Sequence, residues 1–170
     1  MIKRIALVIG CIFLAAAAFA SPQKGGFIMK ISSPDFKDGG IMPVKFSCDG
    51  DGVNPALVIE NIPSGTKSLA LIVDDPDATI GTFVHWVVYD IGPIGRIEEN
   101  SVPGLQGQNS SGSVNYCSPC PPSGTHRYFF KIFALDTLTS RPGLNKQLLL
   151  EAMNGHILDK AELVGLYKRG

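Results

Sequence analysis

Two short segments of this chain combine carboxylates, imidazoles and a phenol where strands are expected to meet turns. The first spans residues 74–77 and is followed by His85, and the second spans residues 121–128 and contains His126. Polar side chains of these types are costly inside a β core unless they are paired. Their concentration at strand ends therefore predicts a shaped binding pocket.

The first segment holds two carboxylates in a turn. Pro76 fixes the backbone between Asp75 and Asp77, although a plain Asp-Pro turn would explain the same residues. His85 favours a binding site over a plain turn. The strand ending at Val73 and the strand containing His85 are joined by a loop of about ten residues, so they should be neighbours. We expect Asp75 to lie beside the His85 imidazole, orienting it and favouring its protonated form.

Alternation along an extended strand predicts which side chains share a face. It places His85 with Val87 and Tyr89, and it places His126 with Tyr128.

The second segment adds donors beside these rings. Arg127 is expected to point away from the shared face of its strand, and Ser123 and Gly124 can present backbone N–H groups to a ligand. Two imidazoles, a phenol and a glycine turn predict a cradle for a small phosphorylated or carboxylated anion.

The first twenty residues are typical of a secretory signal peptide. Lys3 and Arg4 precede an apolar run over residues 5–18, and Ala18 and Ala20 form a small-x-small cleavage site. An uncleaved membrane anchor is the alternative, but the run is shorter than the roughly 20 residues of a spanning helix. We expect cleavage after Ala20, a periplasmic or secreted protein, and a single domain over residues 21–170.

Charge and cysteine content narrow the function further. Residues 21–170 contain 13 lysines and arginines against 15 aspartates and glutamates, which predicts no nucleic-acid partner. Cys48, Cys117 and Cys120 predict one disulfide and one free thiol in an oxidising compartment, without saying which two pair. A redox role for the C-x-x-C spacing of Cys117 and Cys120 is disfavoured, because the prolines that follow do not start the helix that such motifs use.

The pattern of apolar runs between turn residues is typical of an all-β fold. Two runs, over residues 68–73 and 128–135, are too uniformly apolar for a sheet with one wet face and are expected to be central strands. Strands are expected over residues 27–31, 41–46, 56–59, 69–73, 83–91 and 126–135.

Helical periodicity is convincing only near the C-terminus. Asn145 is expected to cap a short helix that ends before Gly155, and residues 161–168 are expected to form a last strand. One side of the helix is expected to carry Leu148, Leu149 and Met153.

A long segment between the two chemical segments has no periodic element. Residues 92–125 are dense in Gly, Pro, Ser and Asn, and loops of this length are usually functional or disordered. Because the segment leads directly into the second motif, it is interpreted as a wall or lid of the pocket.

The two segments resemble the signatures of the phosphatidylethanolamine-binding protein family, in particular its bacterial Raf kinase inhibitor-like branch. Residues 69–78 with 85–88 match the first signature and residues 121–128 the second, and the resemblance covers most of residues 27–168. It implies a Greek-key β-sandwich of two antiparallel sheets, here with one or two short helices near the C-terminus. It also implies a cavity for phosphate, phosphoryl or acetate-like anions, lined by Asp75, His85, His126 and Tyr128 and supported by Asp77 and Pro122.

The chain departs from the family pattern near this cavity. Thr79 stands where proline is usual, and Asn115, Cys117 and Ser118 replace a glycine-rich approach to Pro119. The departures concern the shape of the loops and the size of the ligand.

Three classes of function are compatible with these residues. The leading hypothesis is an exported, non-enzymatic binding protein without a cofactor, whose affinity for a small anion rises as the pH falls through about 6.5. The alternative, by analogy with the family, is a protein inhibitor of a secreted protease or a kinase-like enzyme that presents residues 92–125; a protein partner and a homodimer stay open. A metal-dependent hydrolase using Asp75, Asp77, His85 and His126 is disfavoured, because no H-x-x-x-H pair is present.

Overall fold

Residues 28–170 are described by the structure, a computed structural model, so the expected signal peptide lies outside the described residues. Within this range no helix is long and apolar enough to cross a membrane. The strands are β1 (Lys30–Ser32), β2 (Gly40–Ile41), β3 (Leu57–Glu60), β4 (Ser68–Asp75), β5 (Phe83–Ile91), β6 (Arg96–Ile97), β7 (Leu105–Gln106), β8 (His126–Leu135) and β9 (Ile157–Tyr167). The helix α1 spans Lys146–Met153.

The strands form two sheets. The smaller sheet has the order β1-β3-β6, and the larger has the order β2-β9-β8-β4-β5-β7. Neighbouring strands pair antiparallel except β2 and β9, which pair in parallel over two residues. The expected all-β class with two sheets and a helix near the C-terminus is confirmed, and β4 and β8 are the central strands that their uniform apolar character predicted.

The centre of the larger sheet is buried on both faces. Its inner face packs against the smaller sheet, where Leu71 and Phe130 join Leu57 and Ile97 in one apolar cluster. This arrangement explains why β4, buried at all eight positions, lacks polar alternation.

The outer face of the larger sheet is partly covered by α1. Leu149 and Met153, one helical turn apart, pack with Ile72 of β4. The buried carboxylate of Asp74, also on this face, accepts hydrogen bonds from Lys131 of β8 at 2.8 Å and from Lys146 of α1 at 2.5 Å. The helix is therefore attached to the sheet by both apolar contacts and charge.

A β-bulge changes the facing of the residues in β5. Val73 of β4 lies opposite Trp86, but the next residue, Asp74, lies opposite Val84, so β5 carries His85 as one extra residue. His85 consequently turns inward, with its ring centroid 5.1 Å from that of the inner-face residue Tyr128.

The prediction that His85 shares a face with Val87 and Tyr89 is therefore wrong. Both of those residues pack on the helix side of the sheet. Strict alternation fails here because the bulge shifts the register by one residue.

The helix and the last strand are close to expectation. The Asn145 side chain accepts a hydrogen bond from the backbone N–H of Leu148 at 3.0 Å, which is the predicted N-cap. The predicted apolar side is wrong for Leu148, which is exposed, because the four-residue spacing from Leu149 to Met153, about one helical turn, sets the buried stripe. The last strand, β9, is confirmed and begins four residues earlier than residue 161.

Two other expectations need correction. The strand expected over residues 41–46 is wrong beyond Ile41: Pro43 cannot donate to a ladder, and Val44–Phe46 form a turn of 3₁₀ helix. Residues 92–125 do contain strands, β6 and β7, but each has only two residues, too few to produce a periodic pattern.

Candidate ligand-binding site

A small cavity opens where the ends of β4, β5 and β8 meet. Its volume is about 230 Å³, below the roughly 300 Å³ at which pockets for drug-sized ligands begin. Strand residues, the β4–β5 loop and the segment before β8 all contribute to it. The lining residues are Asp75, Ala78, Thr79, Ile80, Phe83, His85, Cys117, Ser118, Cys120, Pro121, Pro122, His126 and Tyr128.

A buried carboxylate holds one of the two imidazoles. The Asp75 Oδ2 atom lies 2.7 Å from His126 Nδ1, and the Oδ1 atom accepts a hydrogen bond from the backbone N–H of Asp77 at 2.8 Å. Because a carboxylate accepts, the His126 proton is assigned to Nδ1, which leaves Nε2 as the second polar atom of that ring. The expected neighbour of Asp75 is wrong: it bonds His126 rather than His85.

His85 is held by the backbone of Cys117 instead. Its Nδ1 atom donates to the Cys117 carbonyl at 2.7 Å, and the Cys117 N–H donates to the His85 carbonyl at 2.9 Å. Burial lowers the pKa of His85, although the Cys117 carbonyl and the charge of Asp75 act in the opposite direction. The expectation that the protonated ring is favoured is therefore wrong for the free protein, because desolvation outweighs the nearby carboxylate.

Tyr128 brings a phenol to the same place. Its ring lies edge-on to that of His85 at 5.1 Å and stacks with that of His126 at 6.5 Å, measured between centroids. Burial raises the pKa of Tyr128, with a further contribution from Asp75, so the phenol keeps its proton and can donate. The predicted shared face of His126 and Tyr128 is confirmed.

Two polar atoms in this cavity have no hydrogen-bond partner. Within residues 28–170, His85 Nε2 and Tyr128 OH are the buried side-chain nitrogen and oxygen atoms without one. His85 is 4% exposed and Tyr128 is 0% exposed, so bulk water does not satisfy them. An unsatisfied buried polar group in a native protein calls for an explanation, and a role in ligand binding is one.

Three predicted site residues lie outside the cavity lining. Ser123 and Gly124 are exposed, and Gly124 has a φ of 72°, which allows the tight turn before β8. Asp77 accepts hydrogen bonds from the Arg127 guanidinium at 2.7 and 2.9 Å and from the Arg127 backbone N–H at 2.9 Å. Arg127 thus points away from the cavity, as expected, and lowers the pKa of Asp77 to about 2.

The cysteine prediction of one disulfide and one thiol is confirmed for the described residues. Cys48 and Cys120 form the disulfide, with their Cα atoms 5.4 Å apart, and Cys117 is free. Cys117 and Cys120 therefore do not pair with each other as a C-x-x-C motif would. Burial raises the pKa of the Cys117 thiol.

Residues 117–122, here called the strap, form one wall of the cavity. The strap is attached to β5 through the hydrogen bonds between Cys117 and His85. It is attached to Cys48 by the Cys48–Cys120 disulfide and by the hydrogen bond from the Cys48 N–H to the Pro119 carbonyl at 3.0 Å. A wall was predicted from residues 92–125. Most strap residues were not predicted as site residues, because their only signal was their position before the second motif.

The carboxylates and imidazoles do not form a metal centre. Within residues 28–170, no group of three or more His, Cys, Asp or Glu side chains is arranged to hold a metal ion. Asp75 is engaged by His126, and Asp77 by Arg127.

A two-sheet β-sandwich with a small cavity at its strand ends defines a binding protein. Comparison with known proteins identifies the family. The chain belongs to the phosphatidylethanolamine-binding protein family, whose model matches residues 32–168. The resemblance found from the two motifs is thereby confirmed.

Relatives occur in both archaea and bacteria. The chain is 46% identical over 151 residues to a UPF0098 protein of Methanothermobacter thermautotrophicus, covering 84% of this chain and 100% of the relative. It is 48% identical over 156 residues to a UPF0098 protein of Aquifex aeolicus, covering 85% and 91%.

Two solved structures share the fold. A phosphatidylethanolamine-binding protein homologue from Chlamydia trachomatis superposes with a TM-score of 0.82 at 41% identity, covering 84% of this chain and 99% of that chain. E. coli YbcL, described as a member of the mammalian family, superposes with a TM-score of 0.76 at 26% identity, covering 84% and 99%.

Proposed function

We propose that this protein is an exported binding protein whose cavity holds a small anion: a phosphate, a phosphoryl headgroup or a carboxylate. The observation that carries the proposal is the pair of buried, unpartnered atoms, His85 Nε2 and Tyr128 OH, in one small cavity. Leaving such an atom unpaired costs about 1–3 kcal/mol. A ligand that pairs with both recovers this free energy on binding.

The state of the His85 ring implies that a proton accompanies the anion. His85 donates through Nδ1, so Nε2 of the neutral ring is an acceptor. The lone pair on Nε2 would repel a bound anion. The bound anion and the ring are compatible only if a proton lies between them. Uptake of a proton on binding makes the affinity rise as the pH falls, until the ring is already protonated in the free protein.

Export is supported by two independent features. The sequence begins with a basic, apolar and small-residue pattern typical of a cleaved leader, and the Cys48–Cys120 disulfide is of a kind that persists in oxidising compartments.

Calorimetric titration with phosphate and sulfate between pH 5 and 8 tests the proposal. Sulfate does not titrate in this range, so any proton uptake on its binding, measured from the dependence of the heat on the ionisation enthalpy of the buffer, comes from the protein. We expect saturable binding that strengthens towards low pH with uptake of up to one proton for each anion.

Two variants and one control assign the binding to the cavity. Tyr128→Phe and His85→Asn should each weaken binding about tenfold, the effect of one charge-assisted hydrogen bond. His85→Asn keeps a donor in the position of Nδ1 and removes Nε2. Tyr167→Phe, which removes a hydroxyl bonded to Asp49 on another part of the chain, should bind as the native protein does. Absence of saturable binding, or equal affinity in all four proteins, would refute the proposal.

A further inference from the structure

Cys117 carries a free thiol on the wall of the cavity that contains the two unpartnered atoms. Cys117 lines the cavity together with His85 and Tyr128, and it is partly exposed. Its backbone forms hydrogen bonds in both directions with His85, at 2.7 and 2.9 Å. The thiol-bearing residue is thus fixed beside the imidazole that the proposed anion would contact.

The thiol is isolated from the disulfide next to it. Cys120, three residues further along the strap, is paired with Cys48. Burial raises the pKa of Cys117, so the thiol is mostly protonated and reacts slowly at neutral pH. A free cysteine in an oxidising compartment is nevertheless exposed to small disulfides for the lifetime of the protein.

We propose that Cys117 is a modification site that takes small, negatively charged thiols as mixed disulfides, and that this modification and anion binding exclude each other. The inference rests on the proposed function, since the acidic group of the thiol would occupy the anion position beside His85 and Tyr128. Both the acidic group and a separate anion would pair with the same two atoms, His85 Nε2 and Tyr128 OH, so one excludes the other.

The chemical step is thiol–disulfide exchange. The Cys117 thiol loses a proton, and its sulfur attacks one sulfur of a small disulfide RS–SR. A new bond forms between Cys117 Sγ and the attacked sulfur, the RS–SR bond breaks, and the other half leaves as RS⁻, which takes up a proton. The Cys117 sulfur is oxidised, and the departing sulfur is reduced by the same amount.

Mutual exclusion follows from linkage between the two events. If a covalent adduct prevents anion binding, a bound anion must hinder formation of the adduct by the same free energy at equilibrium. The charge of a bound anion also disfavours the Cys117 thiolate, so its effect on the rate has the same sign.

Three methanethiosulfonate reagents of differing charge test the proposal on the oxidised protein. Each transfers its RS group to the Cys117 thiolate and releases methanesulfinate; the groups are sulfonatoethyl (negative), methyl (neutral) and trimethylammonioethyl (positive). Rates are measured at pH 8 by intact mass and divided by the rate of each reagent with 2-mercaptoethanol. We expect a single adduct, an acceleration of about tenfold for the negative over the positive reagent, and slowing of about tenfold by saturating phosphate.

Two controls accompany the rates. Cys117→Ser should form no adduct with any of the three reagents. Native protein carrying the sulfonatoethyl adduct should bind phosphate at least tenfold more weakly than unmodified protein.

The outcomes separate this inference from the proposed function. If unmodified protein binds phosphate but Cys117 does not react, shows no preference for the negative reagent, is not protected by phosphate or binds phosphate equally well after modification, the inference is overturned and the anion site stands. If unmodified protein does not bind phosphate or sulfate, the proposed function fails and the inference fails with it.

Discussion

At the scale of single residues, the cavity contains buried polar atoms that form no hydrogen bond and so do not stabilise the fold. Tyr128 OH has no partner in the described part of the chain, whereas Tyr167 OH donates to the Asp49 carboxylate at 2.8 Å. A hydroxyl without a hydrogen bond contributes nothing that offsets its desolvation. Such groups are expected where function, rather than folding, maintains a residue.

The two tyrosines give a matched prediction for stability. Tyr128→Phe should leave the free energy of unfolding unchanged or raise it, because no hydrogen bond is lost. Tyr167→Phe should lower it by about 1 kcal/mol, because one part-buried hydrogen bond is lost. Urea unfolding at pH 7 without ligand measures both, and an equal loss in the two variants would show that Tyr128 OH is bonded in solution.

His85 gives a prediction for the pH dependence of stability. Its pKa is lowered by burial in the folded protein and returns to about 6.5 on unfolding, so the unfolded chain binds more protons between these two values. Stability contributed by neutral His85 is present above pH 6.5 and is lost as the pH falls through the folded value.

The measurement compares native protein and His85→Asn by urea unfolding at pH 7.5 and pH 5. The drop in free energy of unfolding should be smaller in the variant, and phosphate should reduce the drop in native protein. Parallel drops in both proteins would show that other groups dominate acid unfolding.

The residue types of the site could be predicted from sequence, but not their pairing. Asp75, His85, His126, Tyr128 and Pro122 do come together; the sequence correctly placed β4 beside β5, and the structure adds β8 on the other side of β4. The partner of Asp75 was wrong, since a carboxylate at the end of β4 has an imidazole on each neighbouring strand. Only the registers of β4 with β5 and of β4 with β8 decide between them.

At the scale of elements, the strap and the bulge in β5 define the cavity. Long strands such as β5 and β8 were predicted to the residue, because seven apolar or aromatic residues in each produce a strong signal. The bulge has no comparable signal: no glycine marks it, and one additional residue leaves the composition of the strand unchanged. The strap was predicted only as part of a wall of the pocket, without its backbone course or its contacts.

Removal of the disulfide should affect both the fold and the cavity. The paired cysteines are separated by 72 residues, and closure of a loop of this size stabilises a protein by about 4 kcal/mol in the chain-entropy account. The double variant Cys48→Ala with Cys120→Ala should therefore unfold at lower urea concentration and bind phosphate more weakly, because the strap loses one attachment. Cys117→Ala, which keeps the disulfide, is the matched control for stability and should unfold at the same urea concentration as the native protein. Equal affinity in the double variant would show that β5 alone holds the strap.

At the scale of the whole molecule, the chain contains a disulfide-bonded domain of the phosphatidylethanolamine-binding protein family, preceded by a sequence that predicts a secretory leader. Family membership was evident from two motifs that together span fewer than thirty residues. The sheet order and the parallel pairing of β2 with β9 were not, because they depend on contacts between residues distant in the chain.

Export makes a prediction about the mature protein. Full-length protein expressed in a bacterial host should be recovered from the exported fraction with an intact mass that begins at Ser21 and is lower by two hydrogens, for one disulfide. Labelling without reduction should find one reactive thiol, on Cys117. Protein that remains in the cytoplasm with residues 1–20 attached would contradict export.

The adjacent acids of β4 have a consequence for how the sheet assembles. Asp74 meets two lysines on the helix side, and Asp75 meets His126 on the opposite side. Sliding of β4 by one position along its neighbours would move one carboxylate into the place of the other and leave one set of basic partners without an acid, while turning every apolar side chain to the opposite face. A misaligned β4 would therefore lose favourable contacts on both faces of the sheet. Asp74 and Asp75 thus help to fix the register of the central strand.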